Sequence, residues 1–207
     1  MIIQLEDVLN KTARGSEGVI ISDNNINLSK FTGSEVVFTG KYTKGLLLTL
    51  RPQIEVTFRD AVIDNATENE TIETAGTFDQ VMINGSGTTK LFGKSGNVAP
   101  QMIFIKGRYS NIEICGFDSD QRRNNITGWT KSGSNCQLAG VLDVNHNLGK
   151  VWIHDMIFRN SGDESVYCNN FERGAGYAQG DVLIVENCKS FGSGRDPYQQ
   201  WGFRNVT

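Results

Sequence analysis

The sequence predicts an all-β fold in which short strands stack as a solenoid behind one leading helix. Three observations carry this expectation. Short apolar-alternating runs, each bounded by Gly, Asn, Asp or Ser, fill almost the whole chain. The runs are joined neither by the two-residue turns of hairpins, Asn84-Gly85 excepted, nor by helices long enough for βαβ crossovers. Finally, the strand pattern recurs along the chain at unequal intervals.

The leading helix comes first. Leu5, Val8, Leu9 and Ala13 recur at helical spacing, while Glu6, Asp7, Asn10 and Lys11 face the other way. The acidic pair suits the positive end of the helix dipole, and Arg14-Gly15-Ser16 ends the segment. Residues 1–17 thus read as a cap and residues 18–207 as the solenoid. Strands are expected at Gly18–Ser22, Glu35–Phe38, Leu46–Leu50, Ile54–Phe58, Ala61–Ile63, Gln80–Ile83 and Met102–Ile105. Further runs are Asn111–Cys115, Gly140–Val144, Lys150–Ile153, Ser165–Cys168 and Asp181–Val185.

Three of these align. Asn111–Phe117, Lys150–Met156 and Asp181–Asn187 each begin polar and then place apolar residues at the second and fourth positions. The alignment predicts two inward ladders, Ile112 with Val151 and Val182, and Ile114 with Ile153 and Ile184. Its spacings are 39 residues (Ile112 to Val151) and 31 residues (Val151 to Val182). A propeller or leucine-rich repeat has nearly constant units, so unequal ones suit a solenoid with fixed strands and variable loops. Asn160, Asn169 and Asn187 follow strands, where Asn tolerates left-handed backbone and can hydrogen-bond along a stack. The final Trp201–Thr207 stretch reads as the start of another repeat, so the chain is expected to end in mid-solenoid.

Composition removes whole function classes. No apolar run approaches the ~18 residues that a membrane-spanning helix needs. Twenty Lys and Arg against 23 Asp and Glu leave a net charge of −3, with no basic excess to meet a phosphate backbone. Neither a membrane nor a nucleic acid is an expected partner. Four cysteines (Cys115, Cys136, Cys168 and Cys188) show no Cys-x-x-Cys, and His146 and His154 have no paired ligand spacing. Free thiols packed as small apolar residues are expected, with no metal site. Gly93-Lys94-Ser95 lacks the earlier glycine of a phosphate loop, since position 88 is Thr88, and Gly-x-Ser-x-Gly is absent. Met1–Asp7 has neither the basic start nor the apolar run of a secretion signal.

On these residues the chain resembles the pectate-lyase-like superfamily of right-handed parallel β-helices. Val36–Tyr42 followed by Ile54–Ile63 is similar to that superfamily's opening coils, and Leu5–Ala13 to its amphipathic cap. Val151–Cys168 and Val182–Phe203 are similar to its asparagine-rich rungs. The resemblance extends over about Leu5 to Val206 and implies a right-handed parallel β-helix. It does not single out an activity, because that architecture carries lyases, hydrolases, esterases, phage tailspikes and adhesins.

Candidate site residues follow from the resemblance and from the strand pattern. Ser161-Gly162-Asp163-Glu164 resembles the paired-acid segment of polygalacturonase-type hydrolases, with Glu164 in place of the second Asp. Neighbouring carboxylates push their pKa values apart and can divide acid and base roles. Asp163 and Glu164 are therefore the expected catalytic pair, with Arg195 and Asp196 from the following coil. Both carboxylates must then point away from the core, Asp163 from a turn and Glu164 from a strand edge. The further Asp and the His-Gly of that family have no counterpart here. Trp152 and His154 alternate with Val151 and Ile153 and so face outward, where an aromatic ring can support a sugar. Leu183 and Val185 fall at the matching outward positions of the next repeat, as on a covered face. Trp129, in the polar excursion that runs through Asp118–Asn125 and Gly128–Asn135, and Tyr167 complete the expected substrate contacts. No cofactor is expected, unless the chain is a lyase, which would add calcium beside Lys189, Arg195 and Asp196.

These readings favour a virion-associated tailspike or tail-fibre module that recognises, and in one version depolymerises, host surface polysaccharide. Such a module would sit on a virion or outside the cell and assemble as a homotrimer or with other virion proteins. The alternative is part of a secreted polysaccharide lyase or glycoside hydrolase.

Overall fold

A computed structural model describes residues 1–10, 17–66, 70–93, 101–106, 108–123, 142–145, 149–169, 171–172, 176–177, 180–194, 196–201 and 203–207. The chain opens with β1 (Ile2–Gln4), α1 (Leu5–Leu9), β2 (Ile20–Ser22) and β3 (Asn25–Asn27). Next come β4 (Glu35–Tyr42), β5 (Leu46–Thr49), β6 (Ile54–Asp64), β7 (Ile72–Ala75) and β8 (Thr77–Ser86). β9 (Lys90–Phe92), β10 (Ile103–Ile105), β11 (Arg108–Cys115), β12 (Asp118–Asp120) and β13 (Leu142–Asn145) follow. The remainder holds β14 (Lys150–His154), β15 (Ile157–Arg159), β16 (Val166–Asn169), β17 (Phe171–Glu172) and β18 (Gly176–Tyr177). It ends with β19 (Gly180–Glu186), β20 (Lys189–Phe191), β21 (Tyr198–Trp201) and β22 (Phe203–Val206).

The protein is all-β, and its dominant feature is a large parallel sheet. Among the described residues that sheet has 12 strands, with β20-β15-β12-β9-β6-β8-β11-β14-β19-β22 in order and β4 and β1 attached through β6. A second sheet of eight strands runs β2-β3-β5-β7-β10-β13-β16-β21 and is parallel apart from the β2–β3 hairpin. From β5 onward the chain alternates between these sheets. Within these two sheets each new strand lies parallel to the one its sheet received an alternation earlier, while β17 and β18 pair antiparallel in a sheet of their own.

Burial explains the register. Ile54, Val81, Ile112, Val151 and Leu183 lie side by side across β6, β8, β11, β14 and β19, and all are buried. Val56, Ile83, Ile114, Ile153 and Val185 form the parallel row, with Val185 half-buried. Phe38 stacks on Phe58 at 5.0 Å between ring centroids, and Phe117 tilts against Phe58 at 5.8 Å. After β11, β14 and β19 the backbone turns through a left-handed residue: Gly116 (φ 77°), Asp155 (φ 55°) and Asn187 (φ 49°). One apolar residue follows, Phe117, Met156 or Cys188, before β12, β15 or β20 begins.

Several expectations need correction. The predicted ladder slips by one residue in β19, where Leu183 and Val185 continue the rows and Val182 pairs with Lys150. The repeat from Val151 is therefore 32 residues, to Leu183, and Leu183 and Val185 are not outward. Asn84-Gly85 is not a hairpin turn but lies inside β8, where a Cβ on Gly85 would come 2.7 Å from the Phe117 ring. Antiparallel pairing of consecutive strands occurs instead at β2–β3, turning at Asp23-Asn24 with Asp23 at φ 50°, and at β17–β18. Asp118–Asp120 is strand β12 rather than part of a loop, with Ser119 fully buried beside Leu91 and Phe158.

Helix α1 spans Leu5–Leu9 with Asn10 as its C-cap, and Ala13 lies outside the described residues. Its Glu6 carboxylate accepts the Lys41 N–H at 2.6 Å, and Leu5 and Val8 are buried. Asn160 and Asn187 have the left-handed conformation, and their side-chain amides donate to Asp120 and Asp155 of the preceding repeat. Cys115, Cys168 and Cys188 are free thiols, while Cys136 lies outside the described residues. Cys168 packs in the core as expected, but Cys115 is buried on the outer side of β11.

Candidate functional site

The outer side of the large sheet gathers the polar and aromatic residues that alternate with the buried ladders. On β11 these are Glu113 and Cys115, on β14 Lys150, Trp152 and His154, and on β19 Glu186, with the apolar Ile184 in the same outer row. Parallel pairing sets Glu113 beside Trp152 and Ile184, and Cys115 beside His154 and Glu186.

His154 is the hub. Its Nδ1 lies 2.7 Å from Asp155 Oδ2 and its Nε2 lies 2.9 Å from Glu113 Oε1. Asp155 is held in turn by the side-chain amide of Asn187. Burial pulls the pKa of His154 down, but the two carboxylate hydrogen bonds outweigh it and raise the value above the usual imidazole range. The Asp155 carboxyl is held low by its hydrogen bonds to His154 and then Asn187. Burial, reinforced by the carboxylates of Glu113, Asp155 and Glu55, pushes the Cys115 thiol up to about 12. An uncomplexed Cys115 is therefore a thiol at neutral pH and a poor nucleophile.

Trp152 stands half-buried next to this hub. Its Nε1 donates to Glu186 Oε1 at 3.1 Å, and its ring lies 4.3 Å from that of His154 between centroids. The Lys150 ammonium sits 4.6 Å from the Trp152 centroid. Trp152, Lys150, Asn111, Glu113 and Met82 line an open pocket of about 260 Å³. Its walls thus combine an aromatic ring, an amide, a carboxylate and an ammonium.

The other predicted residues lie elsewhere. Asp163 is in a bend and Glu164 two residues before β16, but they are only 4% and 2% exposed. The outward-pointing acid pair expected from the sequence is not present. The hydrogen bonds of the bend supply the reason. The Asp163 carbonyl accepts from the hydroxyls of Ser161 (3.1 Å) and Ser193 (3.0 Å) and from the Gly194 N–H (3.1 Å). The Gly162 N–H donates to Gln121 Oε1 at 3.0 Å, and a Cβ on Gly194 would come 2.1 Å from the Gly162 carbonyl oxygen. Adjacent loops therefore close over the acid pair. Asp196 is exposed, and its carbonyl accepts from Ser193 at 3.0 Å. Tyr167 lies on β16 of the eight-stranded sheet, in register with Asp143 and Gln199. It is thus in a different sheet from Trp152 and His154. Trp129 and Arg195 lie outside the described residues.

Sequence reasoning placed Trp152 and His154 on one face with Asp155 close by, but missed Glu113, Cys115 and Glu186 as their neighbours. The available signal was the left-handed residue after each strand. Aligning Gly116, Asp155 and Asn187 brings Cys115, His154 and Glu186 into one row. Comparison of the chain with protein-family models, curated proteins and solved structures finds no match.

Proposed function

We propose that the chain is a right-handed parallel β-helix module of the tailspike or tail-fibre kind, carried on a virion, that recognises host surface polysaccharide through the outer face of β11, β14 and β19. The alternation of strands between two parallel sheets supports the β-helix reading. The observation that carries the functional reading is the Trp152 pocket. A sugar ring has an apolar face and an equatorial rim of hydroxyls. The Trp152 ring matches the first, and Asn111, Glu113 and Lys150 match the second. The volume is below the roughly 300–1,000 Å³ of sites for drug-sized ligands, so it suits a single ring. Lys150 is exposed, and an exposed cation–π contact is worth only about 0.5–1 kcal/mol, so a ligand can displace it from the indole.

Recognition is better supported than cleavage, because Asp163 and Glu164 are buried and in a different part of the fold. Homotrimeric assembly, or assembly with other virion proteins, belongs to the same proposal. A glycan array of capsular and cell-wall polysaccharides tests it, followed by calorimetry on the best ligand. Trp152→Ala is expected to weaken binding at least tenfold with the fold retained. No binding to any glycan, or unchanged affinity in the variant, would overturn the reading. Release of oligosaccharides that stops in both Asp163→Asn and Glu164→Gln would replace it with a hydrolase.

A further inference from the structure

Glu113, Cys115 and His154 bring one carboxylate oxygen, one sulfur and one imidazole nitrogen within 4.8 Å of one another. Glu113 and Cys115 are two residues apart on β11, so their side chains leave the same face. His154 comes from the adjacent strand, directly beside Cys115. We propose that these three residues form a binding site for a thiophilic divalent cation of the zinc class, which would clasp β11 to β14.

The hydrogen bonding of His154 supports the site independently of its ligand types. A metal-bound imidazole usually donates its other ring N–H to a carboxylate, which fixes the tautomer and the ring orientation. His154 Nδ1 has that partner in Asp155, itself anchored by Asn187. This leaves Nε2 facing Glu113 Oε1 at 2.9 Å. When both ring nitrogens carry protons, the one on Nε2 bridges the two. A cation can take that place and bind both atoms.

The imidazole–carboxylate distance suits such an exchange. At bond lengths near 2.0–2.1 Å, a tetrahedral ion separates its nitrogen and oxygen ligands by roughly 3.3 Å. The present separation of 2.9 Å needs to widen by only a few tenths of an ångström. Asn84 Oδ1 lies 3.5 Å from Cys115 Sγ and offers a neutral oxygen beside the site. A thiol and an imidazole select zinc-class ions over calcium or magnesium, which prefer all-oxygen sites. Binding replaces the Cys115 thiol proton and the Nε2 proton of the imidazolium with bonds to the ion. Two protons go to the buffer, and no electron moves. The site shares Glu113 with the Trp152 pocket but does not rest on glycan recognition.

The test uses the full chain, stripped with chelator and titrated with Co²⁺ as the spectroscopic probe. A thiolate-to-cobalt charge-transfer band in the near ultraviolet and d–d bands in the visible are expected, both removed by equimolar Zn²⁺. Cys115→Ser should abolish the charge-transfer band, and His154→Gln should weaken binding at least tenfold. Cys188→Ser should leave the spectrum unchanged. Asp155→Asn keeps all three ligands, so it should retain the band but lower affinity by about tenfold. Far-ultraviolet circular dichroism of each variant confirms that its fold is retained. No band at excess Co²⁺, or a band that persists in Cys115→Ser, would overturn the proposal.

Discussion

At the scale of single residues, polar side chains secure the corners that connect the strands. Asp60 interrupts β6 with φ at 51°, and its carboxylate reaches the next repeat to accept the Thr88 N–H at 2.9 Å and the Thr88 hydroxyl at 3.1 Å. Gly87 makes room for it, because a Cβ there would come 2.2 Å from Asp60 Oδ1. The Thr88 N–H bond, then the Thr88 hydroxyl, lowers the Asp60 pKa below its ordinary value of 3.8. A depressed carboxylate stabilises the fold above its unfolded pKa, and that contribution is lost as pH falls through the lower folded value. Asp60→Asn keeps a residue that tolerates left-handed backbone but removes the charge. The variant should therefore melt below the parent at pH 6, and the gap should close as pH drops below about 4. Thermal melts across that range check it, and a gap constant with pH would show that the charge is not involved.

At the scale of elements, legibility depended on whether burial is one-sided. In β11 and β14 apolar residues alternate with Glu113, Trp152 and His154, so the pairs Ile112–Val151 and Ile114–Ile153 could be read directly from the sequence. In β19 the run Val182-Leu183-Ile184-Val185 is apolar throughout, and either phase satisfies a period of two. Only the bend residue Asn187 breaks the tie. β12 was missed for the opposite reason, since Asp118-Ser119-Asp120 contains no apolar residue and is held by its parallel neighbours β9 and β15. The outward direction of Trp152 and His154 was legible for the same reason as the ladders. The Glu113–Cys115–His154 cluster was not, because stacking joins residues 39 positions apart and no local spacing marks them. The corrected register has a direct test. Leu183→Ala should cost about 2–5 kcal/mol in urea unfolding, whereas Ile184→Ala, half-buried on the outer face, should cost less than about 1. Equal losses, or the reverse order, would restore the original alignment.

At the scale of the whole molecule, parallel pairing makes stability a matter of neighbours. β14 pairs with β11 and β19 in the large sheet, while β4 and β6 are separated from it by β8 and β11. Where each strand depends mainly on its sheet neighbours, stability approximates a sum of nearest-neighbour terms, so damage to one strand should fade with distance. Ile153 is fully buried between Ile114 and Val185. Ile153→Ala removes three carbons from that row and leaves a cavity the flanking backbone cannot fill, which typically costs about 2 kcal/mol or more. Two kcal/mol corresponds to roughly a 30-fold rise in local opening. Amide hydrogen exchange should show that rise in peptides covering β11, β14 and β19, with β4 and β6 much less affected. The gradient follows from connectivity alone, since no strand of the large sheet pairs with both β4 and β14. Uniform acceleration from β4 through β19 would instead mean that the protein opens as a single cooperative unit, and the nearest-neighbour account of its stability would fail.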